Sequence, residues 1–220
     1  MKDKAVVLLS GGLDSTTCLG IAHKAGHELY TLSFDYGQRH NRELICAEKI
    51  ANYYKVAEHK VVKLNLSGGN ALTDSDINIP DYNPESSIPV TYVPARNILF
   101  LSYALSYSEA LSASYIYIGV SSIDYSGYPD CRPEFIESFQ KVIDVGTKAG
   151  VDGSSIKIIT PLIKLSKAET IKIAIENEAP LHLTTSCYNG EEKACGRCDS
   201  CVLRLKGFEQ AGIKDSIGYD

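Results

Sequence analysis

The stretch from Ala5 to Ala22 constrains this chain more than any other. Ala5-Val6-Val7-Leu8-Leu9 is an unbroken apolar run that reads as a buried strand, and Thr16-Thr17-Cys18-Leu19-Gly20-Ile21-Ala22 reads as a helix. Between them lies only Ser10-Gly11-Gly12-Leu13-Asp14-Ser15, so a strand must become a helix within one short turn. Gly11 and Gly12 permit positive φ and let backbone N–H groups converge, while the helix start adds its unpaired N–H groups and the positive end of its dipole. Such a turn is an anion site, most naturally for phosphate. It lacks the lysine of G-x-x-x-x-G-K-[ST] and the spacing of G-x-G-x-x-G, which excludes both of those phosphate loops. Asp14 and Ser15 are ordinary helix caps taken alone. Asp14 is also the best candidate to hold Mg2+ against a pyrophosphate, because hard oxygen ligands suit that ion.

The rest of the chain repeats the strand-to-helix rhythm. Strands are expected at 28–34, 59–64, 114–120 and 157–160, with helices at 44–54, 98–111, from Pro133, and from Ser166 to about Asn177. This alternation predicts an α/β fold, a doubly wound sheet of mainly five parallel strands. The 98–111 helix is strongly apolar and expected to be central, and the helix from Pro133 to turn Phe135, Ile136, Phe139, Val142 and Ile143 inward. Ser166-Lys167-Ala168-Glu169 reads as a capping box. Residues 65–93 lack any apolar period, and a loop of that length is usually functional or mobile. Two further loops carry chemistry. Pro94 opens the central helix and places Arg96 and Asn97 in its first turn. Asp124-Tyr125-Ser126-Gly127-Tyr128-Pro129-Asp130 follows the fourth strand, where ligand loops of open α/β sheets lie, and interleaves rings with carboxylates in a way that suits a flat heterocycle. Arg96 and Lys167, each at a helix start, read equally as phosphate partners and as solvated surface charges.

Seven cysteines fall at 18, 46, 131, 187, 195, 198 and 201, four of them crowded near the end. Cys18 and Cys46 lie in expected helices and read as core. Cys187, Cys195, Cys198 and Cys201 form C-x7-C-x2-C-x2-C, four soft ligands that complete a closed tetrahedral and therefore structural site. Zinc is the expectation, an iron–sulfur cluster is the rival, and colour separates them. The predicted organisation is a domain over 1–179 and a small zinc-binding segment over 180–220. A net charge of −5 argues against a large nucleic-acid footprint. No stretch approaches the apolar length that spans a bilayer, and Met1-Lys2-Asp3-Lys4 runs straight into a strand without a signal-peptide core, so a cytoplasmic protein is expected.

S-G-G-x-D-S after an apolar strand resembles the pyrophosphate loop of the N-type ATP pyrophosphatases, which split ATP between its α and β phosphates and pass AMP to a substrate. Ser10–Thr17, Phe34–His40, Val93–Asn97, Asp124–Cys131, Lys167–Thr170 and Cys187–Gly190 together resemble the 7-cyano-7-deazaguanine synthase family, in family order and over nearly the whole chain. Leu13 stands where that family often has Gln, and Ala95 where it often has Gly. The resemblance implies an adenine nucleotide alpha hydrolase-like fold and ATP with Mg2+ bound by Leu9, Ser10, Gly11, Gly12, Leu13, Asp14, Ser15, Thr16 and Thr17. It implies catalytic roles for Asp14, Ser15, Arg96 and Lys167, and a substrate pocket of Arg96, Asn97, Asp124, Tyr125, Ser126, Tyr128 and Asp130. It further implies one zinc ion per chain, a homodimer, and small-molecule substrates with no direct nucleic acid. The implied reaction activates 7-carboxy-7-deazaguanine as an adenylate, converts it with ammonia to the amide, and dehydrates the amide to the nitrile, a step toward queuosine. Two other readings stand beside it: a pyrophosphatase-loop enzyme that adenylates a tRNA base before sulfur or amine attack, and a non-catalytic nucleotide-binding protein with a zinc clip.

Overall fold

Parallel strands buried on both sides need helices on both faces, and the apolar runs of this chain supply them. The computed structural model describes residues 2–66, 70–74, 76–81, 90–123 and 128–220. β1 (Lys4–Leu8) pairs in parallel with β2 (Glu28–Asp35) on one side and with β4 (Tyr115–Tyr117) on the other, so Val6 lies between Tyr30 and Ile116. β3 (Glu58–Lys63) adds outside β2, and β5 (Lys157–Ile159) outside β4, giving the order β3-β2-β1-β4-β5. The direction of winding therefore reverses between β1 and β4. In such sheets ligands bind outside the carboxyl ends of the strands at that reversal.

The alternation within β1 divides the core in two. Val6 and Leu8 join Leu32, Phe34 and Ile116 under α3 (Arg96–Leu111) and α4 (Pro133–Gly146), which contribute Leu101, Ala104, Ile136, Phe139 and Ile143. Ala5, Val7 and Leu9 face the other way, toward Cys18, Leu19 and Ala22 of α1 (Leu13–Lys24) and toward Cys46, Ala47 and Ile50 of α2 (Arg42–Tyr54). Cys18 and Cys46 are thus core residues, as the sequence suggested. No helix among the described residues is long and apolar enough to cross a membrane.

Three local expectations are corrected. α3 is not central: it lies on the sheet with one side only, and Ile98, Leu99 and Tyr103 stay about 40% exposed on the other. Val142 also points to solvent, because it sits about 100° round α4 from Ile143 and the core stripe uses Ile136, Phe139 and Ile143. The fourth strand is shorter than 114–120. Past Tyr117 the chain runs against the start of α1, so closely that a Cβ on Gly119 would lie 2.9 Å from the Asp14 carbonyl carbon. A further single turn, α5 (Lys148–Val151), is capped by Thr147, whose hydroxyl accepts from Gly150 N.

The capping box is present at α6 (Lys167–Glu176): Ser166 Oγ accepts from Glu169 N at 3.3 Å, and the Glu169 carboxylate accepts from Ser166 N at 2.8 Å. α7 (Asp199–Ala211) packs on α6 and holds the last residues through Arg204. Arg204 is 1% exposed and donates to both Asp215 oxygens, at 2.7 and 2.9 Å, and to Thr184 Oγ1 at 2.8 Å. The Tyr219 hydroxyl completes the group by donating to Asp215 at 2.6 Å. Burial works to raise the Asp215 carboxyl, but Arg204 and Tyr219 overcome it and hold the carboxyl below its ordinary value. Asp215→Ala leaves a buried guanidinium without its counter-charge, a loss expected to cost about 3–5 kcal/mol and to lower the melting temperature by roughly 10 °C. A thermal melt that moves by less than about 3 °C would show that the pair contributes little.

Candidate active site at the carboxyl end of the sheet

The turn after β1 gathers free backbone N–H groups at the start of α1. Gly11 has φ +82°, and a Cβ there would meet the Glu43 carbonyl oxygen at 2.3 Å, so only glycine lets the loop turn against α2. Gly12 is the N-cap of α1 and supplies no side-chain cap, and the first helical bond, Thr16 N to Gly12 O at 3.1 Å, leaves the N–H groups of Leu13, Asp14 and Ser15 ahead of it. Ser15 Oγ closes the turn: it accepts from Ser10 N at 3.2 Å, lies 3.0 Å from Ser10 Oγ and donates to Gly12 O at 3.1 Å.

Asp14 is not a cap. Lys167 Nζ lies 2.8 Å from each Asp14 carboxylate oxygen, and the lysine side chain is only 10% exposed. The first turn of α6 thereby delivers an ammonium to the turn after β1 from 153 residues away. A cavity of about 260 Å³ opens beside this pair and reaches Arg96 and Tyr128. Arg96 Nη1 donates to the Tyr36 hydroxyl at 3.3 Å and lies over its ring, which fixes the guanidinium at the cavity wall. Phe34 and Phe100 stack with ring centroids 4.0 Å apart beneath them. Glu43, from the first turn of α2, lines the same cavity, and burial pushes its carboxyl up to about 6 against the opposing pull of Arg96.

The four cysteines of the last segment converge. The Sγ atoms of Cys187, Cys195, Cys198 and Cys201 all lie within 4.8 Å of one another, with Cys195 and Cys201 at 4.0 Å. A tetrahedral ion with sulfur ligands at 2.3 Å requires sulfurs about 3.8 Å apart, so the set fits one ion and is too tight to enclose a multi-iron cluster. Cys195 N and Cys198 N each donate to a ligand sulfur at 3.4 Å, and Gly196, at φ +69°, makes the tight turn between them. Hydrogen bonds from Cys198 and Cys201 hold the Cys187 thiol below its ordinary range while the same bonds push those two thiols up, so the group titrates as one cluster.

Residues 4–212 match the family described as queuosine biosynthesis protein QueC. The chain belongs to that family. It is 70% identical over 216 residues to 7-cyano-7-deazaguanine synthase 2 of Desulfitobacterium hafniense, covering 98% of this chain and 93% of that one. The 7-cyano-7-deazaguanine synthase of Acetivibrio thermocellus is 66% identical over 216 residues, covering 98% and 97%. Among solved structures, the NMN synthetase of Francisella tularensis superposes with a TM-score of 0.53 at 14% identity, over 97% of this chain and 79% of that one, a likeness of fold alone.

Within this QueC fold, Leu9, Ser10, Gly12, Leu13, Asp14, Ser15, Arg96, Asn97, Tyr128 and Lys167 line one cavity. Gly11 lies outside the lining against α2, and Thr16 and Thr17 are fully buried, each donating its hydroxyl back to the carbonyl four residues before it. Asp130 lies behind the wall: its carboxylate accepts from Asn97 N at 3.0 Å and its carbonyl from Asn97 Nδ2 at 3.1 Å, which ties the loop after β4 to the start of α3. Asp124, Tyr125 and Ser126 fall outside the described residues. Ala95, where the family often has glycine, adopts φ +56°, the region that favours glycine. Sequence reasoning did not assign Tyr36, Glu43, Thr185 or Arg204 to the site, yet all four line the cavity. Tyr36 had a signal, since it lies in the Phe34–His40 segment; Glu43 and Arg204 had none, because each reaches the site through packing of distant helices.

Proposed function

We propose that the chain converts 7-carboxy-7-deazaguanine, ATP and ammonia to 7-cyano-7-deazaguanine in queuosine biosynthesis, through an adenylated carboxylate and an amide. The observation that carries this reading is membership of the QueC family together with an Asp14–Lys167 pair set on a pyrophosphate loop at the winding reversal of the sheet. A carboxylate is a poor electrophile, so one of its oxygens first attacks the α-phosphorus of ATP and pyrophosphate leaves. The N–H groups at the start of α1 and the Lys167 ammonium are placed to stabilise the charge that develops on that leaving group. Nitrogen then bonds to the activated carbon, the bond to the AMP oxygen breaks, and one proton is lost from the ammonium-like nitrogen to give the amide. The amide oxygen then attacks a second ATP, and the bond from carbon to that oxygen breaks so that the oxygen leaves on the phosphate it has acquired, while the nitrogen loses two protons to leave the nitrile.

Arg96, held by Tyr36, serves the substrate carboxylate, with Asn97 and Tyr128 beside it. Asp130 positions Asn97, and Asp124, Tyr125 and Ser126 remain part of the proposed pocket. Each Asp14 oxygen keeps a lone pair beyond its bond to Lys167, so Asp14 would hold Mg2+, whose charge would offset that of the phosphates. Zinc is the ion proposed for the four thiols, in a closed structural site. Residues 1–179 carry the ATP chemistry in this reading and 180–220 the metal, with Thr185 and Arg204 of the second segment reaching the cavity. The reading includes a homodimer, for which the exposed Ile98, Leu99 and Tyr103 on α3 offer a surface, and a cytoplasmic location, where thiols stay reduced.

Mass spectrometry of reactions with ATP, Mg2+, ammonium and 7-carboxy-7-deazaguanine should find the nitrile, with the amide present early. Omitting ammonium should abolish the nitrile, and added amide should also be converted. If neither acid nor amide is consumed while tRNA stimulates ATP cleavage, the tRNA-modifying alternative replaces this one; the net charge of −5 speaks against that outcome.

A further inference from the structure

α7 meets the stem of Lys167 at a glycine, Gly207. A Cβ on Gly207 would lie 2.4 Å from Lys167 Cγ, 2.8 Å from Lys167 Cβ and 3.0 Å from Ile171 Cδ1. Carbon atoms in contact sit about 3.5–4.0 Å apart, so one methyl group at 207 overlaps the lysine stem. The two nearest atoms belong to the backbone end of the lysine, and turning its far end does not relieve the overlap. Gly207 lies in mid-helix without positive φ, where glycine is disfavoured by about 1 kcal/mol relative to alanine. Local conformation therefore gives no reason for a glycine there. The lysine contact does.

We propose that Gly207 is a positioning residue for Lys167: its bare backbone forms the floor on which the lysine stem lies, and so sets where the ammonium meets Asp14. This rests on the reading of Lys167 as the ammonium that serves the pyrophosphate loop. The floor is itself held from two directions. Cys198 is the N-cap of α7 and Cys201 lies in its first turn, so the four-cysteine cluster anchors the start of the helix. Arg204, one turn before Gly207, is bonded to Asp215 and Thr184. With α7 held in this way, a methyl group at 207 displaces the lysine rather than the helix. The last segment thus does more than carry a metal: it sets the position of a charge in the cavity of the sheet.

The test is G207A, measured alone and in a K167A background, by steady-state turnover and thermal melting. Alone, G207A is expected to lower kcat by about 10²-fold, the scale of a misplacement near 1 Å, with KM for ATP changed by only a few-fold. Its melting temperature should stay within roughly 4 °C of the parent, because the gain in helix propensity offsets the strain. In K167A, where the stem beyond Cβ is absent, the 2.4 Å overlap with Cγ is gone and only those with Cβ and Ile171 remain, so G207A should cost clearly less in turnover and in melting than it does in the parent. Unchanged turnover in G207A overturns the proposal. So does destabilisation by G207A that is equal in both backgrounds, because the added methyl would then be disturbing something other than the lysine. If K167A alone keeps full turnover, the reading of Lys167 fails instead, and that result is distinguishable from the others.

Discussion

Lys167→Met is expected to lower kcat by about 10²–10³-fold, the cost of removing one preorganised charged donor from a site where negative charge develops. Methionine keeps the apolar stem that packs on Gly207, so the substitution takes away the ammonium and little else. The ammonium faces both Asp14 oxygens at 2.8 Å with the lysine side chain 10% exposed. Asp14 itself is 25% exposed, so leaving it unpaired costs far less than stranding a buried charge, and the melting temperature should move by no more than roughly 4 °C. Steady-state kinetics should show the loss in kcat, with KM for ATP changed much less, because the charge it meets is greatest in the transition state. Turnover within about threefold of the parent would show that the lysine only fastens α6 to α1. Asp14→Asn should act on the same step; because Gly12 and not Asp14 caps α1, its effect will not come through lost capping.

The Cys198→Ser, Cys201→Ser double variant is expected to have the largest effect on stability. Structural zinc in a four-ligand site contributes an apparent 10–16 kcal/mol or so in small domains, and losing two of four ligands removes the closed coordination. The cysteine cluster also anchors the start of α7, the helix that bears Arg204 and Gly207, so the damage should spread from the cysteine turns to Lys167. Elemental analysis should fall from about one zinc per chain to a small fraction. Hydrogen exchange should quicken across 187–211 while β1 and β2 stay protected. Full zinc retention, or an unchanged melting temperature, would contradict this account of the cluster; a brown protein rich in iron would contradict the choice of metal.

Much of the architecture is readable in local pattern. The apolar run before Ser10, the glycine pair, the Ser166–Glu169 box and the C-x7-C-x2-C-x2-C spacing each describe neighbours in sequence whose chemistry is complete within a few residues, and each appears in the structure where the pattern places it. Periodicity did less well where a helix has one buried side. It could not separate Val142 from Ile143, or show that α3 leaves Ile98, Leu99 and Tyr103 in solvent, because apolar character alone does not say which face meets a sheet.

By itself, then, the amino-acid sequence determined a doubly wound parallel sheet, a glycine turn into a helix after its first strand and a four-cysteine cluster near its end, since backbone conformation and cysteine spacing are local properties. The tertiary structure alone decided that Lys167 pairs with Asp14 and Arg204 with Asp215, that Glu43 lines the cavity, and that Gly207 lies on the lysine stem. Except for Arg204–Asp215, which ties α7 to the segment just after it, these contacts join elements far apart in the chain, and no local preference specifies them. They exist only because two-sided packing on one sheet brings the first turns of α1, α2, α3 and α6 to the same edge.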